Sequence, residues 1–164
     1  MDLATHFQIL ARYNRISNER IYESCAQLND AEYRRERLGS FGSIHALLNH
    51  ILLGDRIWMS RFKGGGQVTP ALNTVLFESF PQLRLAREKE DAEMESFFGG
   101  IDSGFLEREL VYVNSRKQEC RDSASMAVSH FFNHQTHHRG QIHVMLSQSS
   151  VPPPSLDLHR IINP

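Results

Sequence analysis

Three histidines, His130, His134 and His138, recur at four-residue steps near the C-terminal end of the chain. On an α-helix this spacing places side chains on one face, with Cβ atoms about 6 Å apart. His134 and His138 also fall within an apolar stripe, between Phe131 and Ile142. The pattern therefore predicts an amphipathic helix with imidazoles on its buried side. Neutral imidazole is the commonest protein ligand for transition metals, so a metal site is the first hypothesis.

Three further segments have apolar residues spaced by threes and fours, the pattern of amphipathic helices. They are predicted to span about residues 2–28, 43–62 and 79–98, and the histidine helix is predicted to run from Asp122 or Ser123 to about Gln148. Ser43 is expected to cap the second helix, and Pro81 falls in the first turn of the third, where proline is tolerated. Four such helices with one long crossover predict an all-α four-helix bundle, in which metal sites are built from inward-facing side chains.

The remaining segments are shorter. Residues 29–33 resemble a turn that restarts a short helix, and residues 106–113 resemble an extended strand or a short hairpin with Asn114 and Ser115 at its tip. The run Pro152–Pro154 forbids a helix, so the tail to Pro164 is expected to lie extended across the surface. No repeat or interdomain linker is visible, which predicts a single domain over residues 1–164.

Composition excludes several classes of function. The chain has 164 residues, is 40% hydrophobic and carries a net charge of −1, without any block of Lys or Arg, which argues against nucleic-acid binding. Its longest apolar runs are too short to span a membrane, and its first residues lack the pattern of a signal peptide. The two cysteines, Cys25 and Cys120, form no CxxC pair, so a reduced, cytoplasmic protein is expected.

A third ligand must come from another helix, because catalytic zinc usually takes three protein ligands and a water. His50 is the preferred candidate, since it lies mid-helix on the inner face of the second helix. His45 points about one-third of a turn away, and His130 lies nearer the start of its own helix; both rank lower. The alternative for each is a hydrogen-bonded core histidine that binds no metal.

Two segments carry a resemblance to a known family. His50–Trp58 (HILLGDRIW) and Asn133–Gln141 (NHQTHHRGQ) resemble the signature of the DinB/YfiT-like family of bacterial metalloproteins, and the first helix (ARYNRISNERIYE) is similar too. The resemblance extends over nearly the whole chain. It implies an up-down-down-up four-helix bundle, often a homodimer, with three histidines that hold a divalent metal, usually zinc or nickel. Matched by motif, these histidines are His50, His134 and His138.

Other polar residues leave alternatives open. Asp55 lies in an apolar stripe and needs a partner, either in a structural bond or as the acceptor that orients a ligating imidazole. Gly140 costs a helix about 1 kcal/mol relative to alanine, which suggests that another helix approaches closely there. Gln141 is expected to orient a ligand or to join two helices, and Asn14 is a candidate to reach the metal cavity. Trp58 is assigned to the core rather than to substrate binding.

An open three-histidine site can lower the pKa of a bound water or bind a substrate thiolate. Members of the resembled superfamily include S-transferases and isomerases that use low-molecular-weight thiols such as bacillithiol, mycothiol or glutathione, and inferred hydrolases. The resemblance thus implies a metal-dependent thiol S-transferase or hydrolase-like enzyme with a small-molecule substrate. The alternative is a non-catalytic, stress-associated metal-binding protein with a structural ion. No catalytic base is identified from the sequence.

Overall fold

The computed structural model describes residues 1–65 and 70–163. Helices account for most of these residues, and the strands form one two-stranded hairpin. None of the helices in this part of the chain is long and apolar enough to cross a membrane. In chain order the elements are α1 (Leu3–Cys25), α2 (Asp30–Arg34), α3 (Ile44–Phe62), α4 (Phe80–Gly99), α5 (Ser103–Leu106), β1 (Glu109–Val113), β2 (Glu119–Ser123), α6 (Ala124–Ser147) and α7 (Leu158–Ile162).

The four long helices form a bundle in which α1 and α3 each pack against both α4 and α6. Side-chain pairs show that α1 runs antiparallel to α4 and parallel to α6, and that α3 runs antiparallel to α6 and parallel to α4. Two pairs support each direction. They are Arg15–Glu95 and Asn18–Asp91 for α1 with α4, Phe7–Phe132 and Asn14–Arg139 for α1 with α6, Trp58–His130 and His50–His138 for α3 with α6, and Asp55–Arg87 and Phe62–Phe98 for α3 with α4. The topology is therefore up-down-down-up, as the resemblance implied.

The long crossover is the connection between α3 and α4. Because these two helices are parallel, the chain must return along the bundle between them. Residues 66–69 of this connection lie outside the described residues. In the part that is described, the side-chain oxygen of Asn49 accepts hydrogen bonds from the backbone N–H groups of Leu76 and Phe77, both at 2.9 Å. These bonds hold the returning chain against α3.

The helix starts follow the capping residues. Asp2, Ser43 and Ser123 each accept a hydrogen bond from a backbone N–H three residues later, as N-cap residues do. The first helix ends at Cys25, three residues earlier than expected. The prediction of a fully extended tail was wrong for residues 158–162, which form α7. Ile161 is buried there, and α7 packs against α1, so burial of apolar surface favours the helix.

The hydrophobic core consists of two clusters with a polar layer between them. One cluster, rich in phenylalanine, lies where α5 and the start of α6 meet the end of α3. The other lies where α2 and the start of α3 meet the end of α6. Buried polar side chains from all four long helices form the intervening layer: Asn14, Asn18, Asp55, Arg87, Asp91, Gln135 and Arg139. The middle of the bundle is therefore its polar region.

The segment after α5 forms a β1–β2 hairpin, so of the two predicted alternatives, an extended strand or a short hairpin, the hairpin is confirmed. Tyr112 pairs with Cys120 across the antiparallel ladder. Asn114 closes the turn, since its side-chain oxygen accepts hydrogen bonds from the backbone N–H groups of Arg116 (2.9 Å) and Gln118 (3.0 Å). The hairpin contacts α3, and the ring of Tyr112 lies 5.4 Å from the ring of Trp58.

Candidate metal centre

Three imidazoles converge between α3 and α6. One ring nitrogen from each of His50, His134 and His138 lies within 4.8 Å of the other two. The Nε2 atoms of His50 and His138 are 3.2 Å apart. His50 and His138 are buried, and His134 is half-buried. In residues 1–65 and 70–163 this is the one group of three or more His, Cys, Asp or Glu side chains whose donor atoms are close enough to share an ion.

The hydrogen-bond partners of two rings determine where their protons lie. His50 Nδ1 is 2.8 Å from the backbone oxygen of Leu72, and His138 Nδ1 is 2.7 Å from Oε1 of Gln141. Carbonyl oxygens only accept hydrogen bonds, so each Nδ1 carries the proton and each Nε2 carries a lone pair. Two lone pairs thus face each other across 3.2 Å, which is unfavourable unless a cation lies between them.

A proton is a poor candidate for that cation. Burial lowers the pKa of His50 and of His138, although the hydrogen bonds to Leu72 and Gln141 oppose the change. Burial, together with the neighbouring imidazoles of His138 and His50, lowers the pKa of His134 to about 3. All three rings are therefore neutral at physiological pH, the state in which imidazole binds a metal.

Gly54 makes room for the third imidazole. A Cβ atom at residue 54 would lie 3.0 Å from Cε1 of His134, closer than a side chain normally tolerates. The expected close helix approach at Gly140 was wrong: that residue is exposed, and a Cβ there would meet nothing within 4 Å. The glycine that permits close approach of α3 and α6 is Gly54, because it faces the partner helix, whereas Gly140 faces solvent.

The donor set fits a divalent transition ion. Three neutral imidazoles suit zinc, nickel, copper or iron. The unprotonated Nε2 atoms of His50 and His138 lie 3.2 Å apart. Phe41 stacks on the His50 ring, with 3.9 Å between the ring centroids, and covers one side of the triad. The other side borders a cleft.

The cleft has a volume of about 300 Å³ and extends from the triad toward the β1–β2 hairpin. Trp58 lines it, half-buried, so this side chain contributes to the cleft as well as to the edge of the core. The lining residues are His50, Gly54, Ile57, Trp58, Arg61, Leu72, Tyr112, Asn114, Ser115, His130 and His134.

Asp55 has the structural role rather than the role of orienting a ligand. Its carboxylate accepts hydrogen bonds from Arg87 Nη1 at 2.5 Å and from Gln135 Nε2 at 2.8 Å. Burial raises the pKa of Asp55, while Arg87 and Gln135 oppose that change. Gln141 is the residue that orients a triad imidazole, that of His138.

Asn14 does not reach the triad, because its side-chain oxygen accepts a hydrogen bond from Arg139. The lower-ranked histidines also lie outside it. His45 is buried with Nδ1 3.2 Å from the hydroxyl of Tyr33, and His130 is exposed, with its ring 5.2 Å from that of Trp58. The triad therefore consists of the three histidines singled out in the sequence.

Sequence reasoning missed the buried charges of α4. Arg87 lies between Asp55 and Asp91, with Nη2 3.1 Å from the Asp91 carboxylate. Burial alone would lower the pKa of Arg87, but these two carboxylates raise it. The sequence did contain a signal for these charges. Arg87 and Asp91 fall on the same helical face as Leu83 and Met94 and place two charged side chains in an otherwise apolar stripe. Charges in an apolar stripe indicate ion pairs between helices.

The fold and the triad define a class of protein: an up-down-down-up helical bundle with three histidines from two antiparallel helices. The sequence profile of the DinB family matches residues 3–164, and the chain belongs to that family. It is similar to Protein DinB of Bacillus subtilis (strain 168), with 30% identity over 149 residues that cover 85% of this chain and 84% of that protein.

Proposed function

We propose that the protein is a metal-dependent enzyme in which His50, His134 and His138 hold a divalent transition ion, zinc or nickel. The observation that supports this proposal is the pair of unprotonated Nε2 atoms, 3.2 Å apart, with a third imidazole beside them. Neutral histidines without a metal would avoid this arrangement. The family relationship supports it independently.

When bound, such an ion would act as a Lewis acid that lowers the pKa of a small thiol or of water. The protein's own residues prepare the site for it. Leu72 and Gln141 hold two rings in the orientation that presents Nε2, and Phe41 shields one of them from water. The cleft beside His134 gives a small substrate access. The activity proposed is therefore that of a thiol S-transferase or a hydrolase-like enzyme.

A structural ion is the alternative, and the donor count argues against it. Structural zinc sites are usually closed by four protein ligands, whereas catalytic sites have three and an open position. Among the described residues no fourth His, Cys, Asp or Glu joins the triad. The adjacent cleft would lead directly to the open position.

The first test is metal analysis of the purified protein and of alanine variants. We expect about one ion per chain, with loss of binding in His50→Ala and His138→Ala. His137→Ala is the matched control, because His137 is exposed and adjacent in sequence to His138 yet outside the triad. Equal metal content in all three variants would contradict the assignment of ligands.

The second test separates an enzyme from a structural metal protein. In the cobalt-substituted protein, a small thiol such as 2-mercaptoethanol is expected to change the visible absorption spectrum, because it reaches an open position. A spectrum that no thiol changes, with no thiol-transfer or hydrolytic activity, would leave the structural role. The proposal also includes a homodimer, which sedimentation velocity would test.

A further inference from the structure

The cleft beside the triad has an uneven distribution of charge. None of its described lining residues is an aspartate or a glutamate, whereas Arg61 contributes a guanidinium group. Asn114 and Ser115 add neutral polar groups at the hairpin end. With a divalent ion at the triad, both ends of the cleft would be positive. A low-dielectric cleft with walls of one sign attracts ligands of the opposite sign.

Arg61 is held in place by two aromatic rings. Its guanidinium carbon lies 4.6 Å from the ring centroid of Trp58 and 4.2 Å from that of Tyr112. Its Nη2 donates a hydrogen bond to the backbone oxygen of Val113 at 3.3 Å. These contacts fix the plane of the guanidinium, so little conformational entropy would be lost when it binds a ligand.

The spacing along α3 sets the length of a ligand that reaches both ends. Arg61 follows Gly54, the residue beneath His134, by seven positions, which corresponds to roughly 10 Å of helix. Its side chain leans back over Trp58, one turn nearer the triad, and this direction is usual for helical side chains. The charged group therefore lies about one helical turn from the level of His134, about 5 Å along the axis.

We propose that Arg61 determines substrate specificity: the cleft takes a small molecule whose carboxylate pairs with Arg61 while its reacting group lies at the histidine triad. The planar guanidinium matches a carboxylate in a two-pronged hydrogen bond, which favours this anion. The spacing fits a carboxylate separated from the reacting atom by two to four carbon atoms. This inference rests on the proposed function, since the triad defines where the reacting group lies.

Trp58 provides the measurement, because it is the only tryptophan of the chain and stacks on Arg61. Tryptophan fluorescence of the zinc-loaded protein would be titrated with 3-mercaptopropionate and with its neutral amide, 3-mercaptopropionamide. We expect the carboxylate to bind at least about tenfold more tightly, as a charge-assisted hydrogen bond provides. The preference should weaken as salt is added.

Variants assign the preference to Arg61. In Arg61→Gln the affinities for the carboxylate and for the amide are expected to differ by less than about twofold. Arg61→Lys is expected to keep part of the preference for the carboxylate, because lysine retains the charge without the planar guanidinium. Arg12→Gln, the same change at an exposed position on α1, should behave as wild type. Thermal unfolding of each variant would show that the fold is retained. If Arg61→Gln does not fold, the reduced preference for the carboxylate in Arg61→Lys provides the test.

The outcomes separate this inference from the proposed function. Equal affinity of wild type for the two probes, or a preference that survives in Arg61→Gln, would overturn the role of Arg61. Titration of the metal-free protein with propionate and propionamide tests the subsite without the ion. A retained carboxylate preference there, in a protein that fails to take up metal, would support Arg61 and refute the proposed function.

Discussion

Gly54 lies directly against the imidazole of His134, so that a Cβ atom at residue 54 would be 3.0 Å from Cε1 of the ring. The substitution Gly54→Ala must therefore displace the ring by a few tenths of an ångström. We expect metal affinity to fall about tenfold, because ligand geometry is disturbed. The melting temperature of the metal-free protein should change little, because the gain of about 1 kcal/mol from alanine in the helix offsets the cost of displacing the ring.

Gly140→Ala is the matched control for that variant. Gly140 is also helical, and a Cβ there would meet nothing within 4 Å. We expect an increase of about 1 kcal/mol in the free energy of unfolding with unchanged metal affinity. Metal titration and thermal unfolding of both variants give the comparison. Wild-type metal affinity in Gly54→Ala would show that the ring at residue 134 is not a ligand.

Gln141 is predicted to tune metal affinity through His138. Its Oε1 accepts the Nδ1 proton of His138 at 2.7 Å and so keeps Nε2 free for the ion. Gln141→Ala should weaken metal binding by about 10-fold to 100-fold, the range found for partners of ligating histidines. Gln141→Glu should retain the affinity, because a carboxylate is a stronger acceptor. A competition assay with a chromophoric chelator measures the metal affinity of each variant. Equal metal affinity of Gln141→Ala and wild type would contradict the prediction.

The buried pair of Asp55 and Arg87 is predicted to be essential for stability. Both side chains are almost fully buried, and loss of Asp55 leaves Arg87 with Asp91 alone and deprives the Gln135 side chain of its carboxylate acceptor. Asp55→Leu should lower the free energy of unfolding by about 3–5 kcal/mol in urea denaturation. The control is Glu88→Ala, which removes an exposed partner of Arg84 and should change stability by less than about 1 kcal/mol. Similar losses in the two variants would refute the distinction.

Asp91 should make stability depend on pH in the acid range. Burial raises its pKa to about 6, although Arg87 and Asn18 oppose the change. Between about pH 4 and 6 the folded protein therefore keeps a proton that the unfolded chain, with its ordinary pKa of about 3.9, has released. The free energy of unfolding then decreases as pH rises through this window. Urea denaturation of wild type and Asp91→Asn should diverge by about 2–3 kcal/mol across it, and parallel pH profiles would refute the assignment.

The two cysteines should react at very different rates. Cys25 is buried, and burial raises the pKa of its thiol to about 12, so it carries almost no thiolate at pH 8. Cys120 is partly exposed on β2. A chromogenic disulfide reagent should modify one thiol of the folded protein rapidly and the second only after unfolding. Cys120→Ser should abolish the rapid phase, and its persistence would contradict this assignment.

Much of the fold was predictable because its signals are local. The periodicity of apolar residues located the four long helices, and Ser43 marked the start of α3 through a hydrogen bond that spans three residues. The tail was mispredicted because α7 depends on burial of Ile161 against the bundle, a contact with residues far away in the chain.

The candidate site was predictable in part. The spacing of His134 and His138 is a property of one helix, and the apolar periodicity of the second helix placed His50 on its inner face, which agrees with the family motif. The partners of these rings were not predictable to the same degree. Leu72 contributes a backbone oxygen from the crossover, for which no side chain gives a signal, and Gln141 was left with two alternatives.

The amino-acid sequence sufficed to place imidazoles on the inner faces of two helices, because helix formation and facing depend on residues three and four positions apart. Only the tertiary structure decided that Gly54 receives the His134 ring, that Asp55 pairs with Arg87 and that Arg61 borders the cleft. These relationships depend on the register between helices. That register follows from the packing of side chains distant in sequence, which no local pattern encodes.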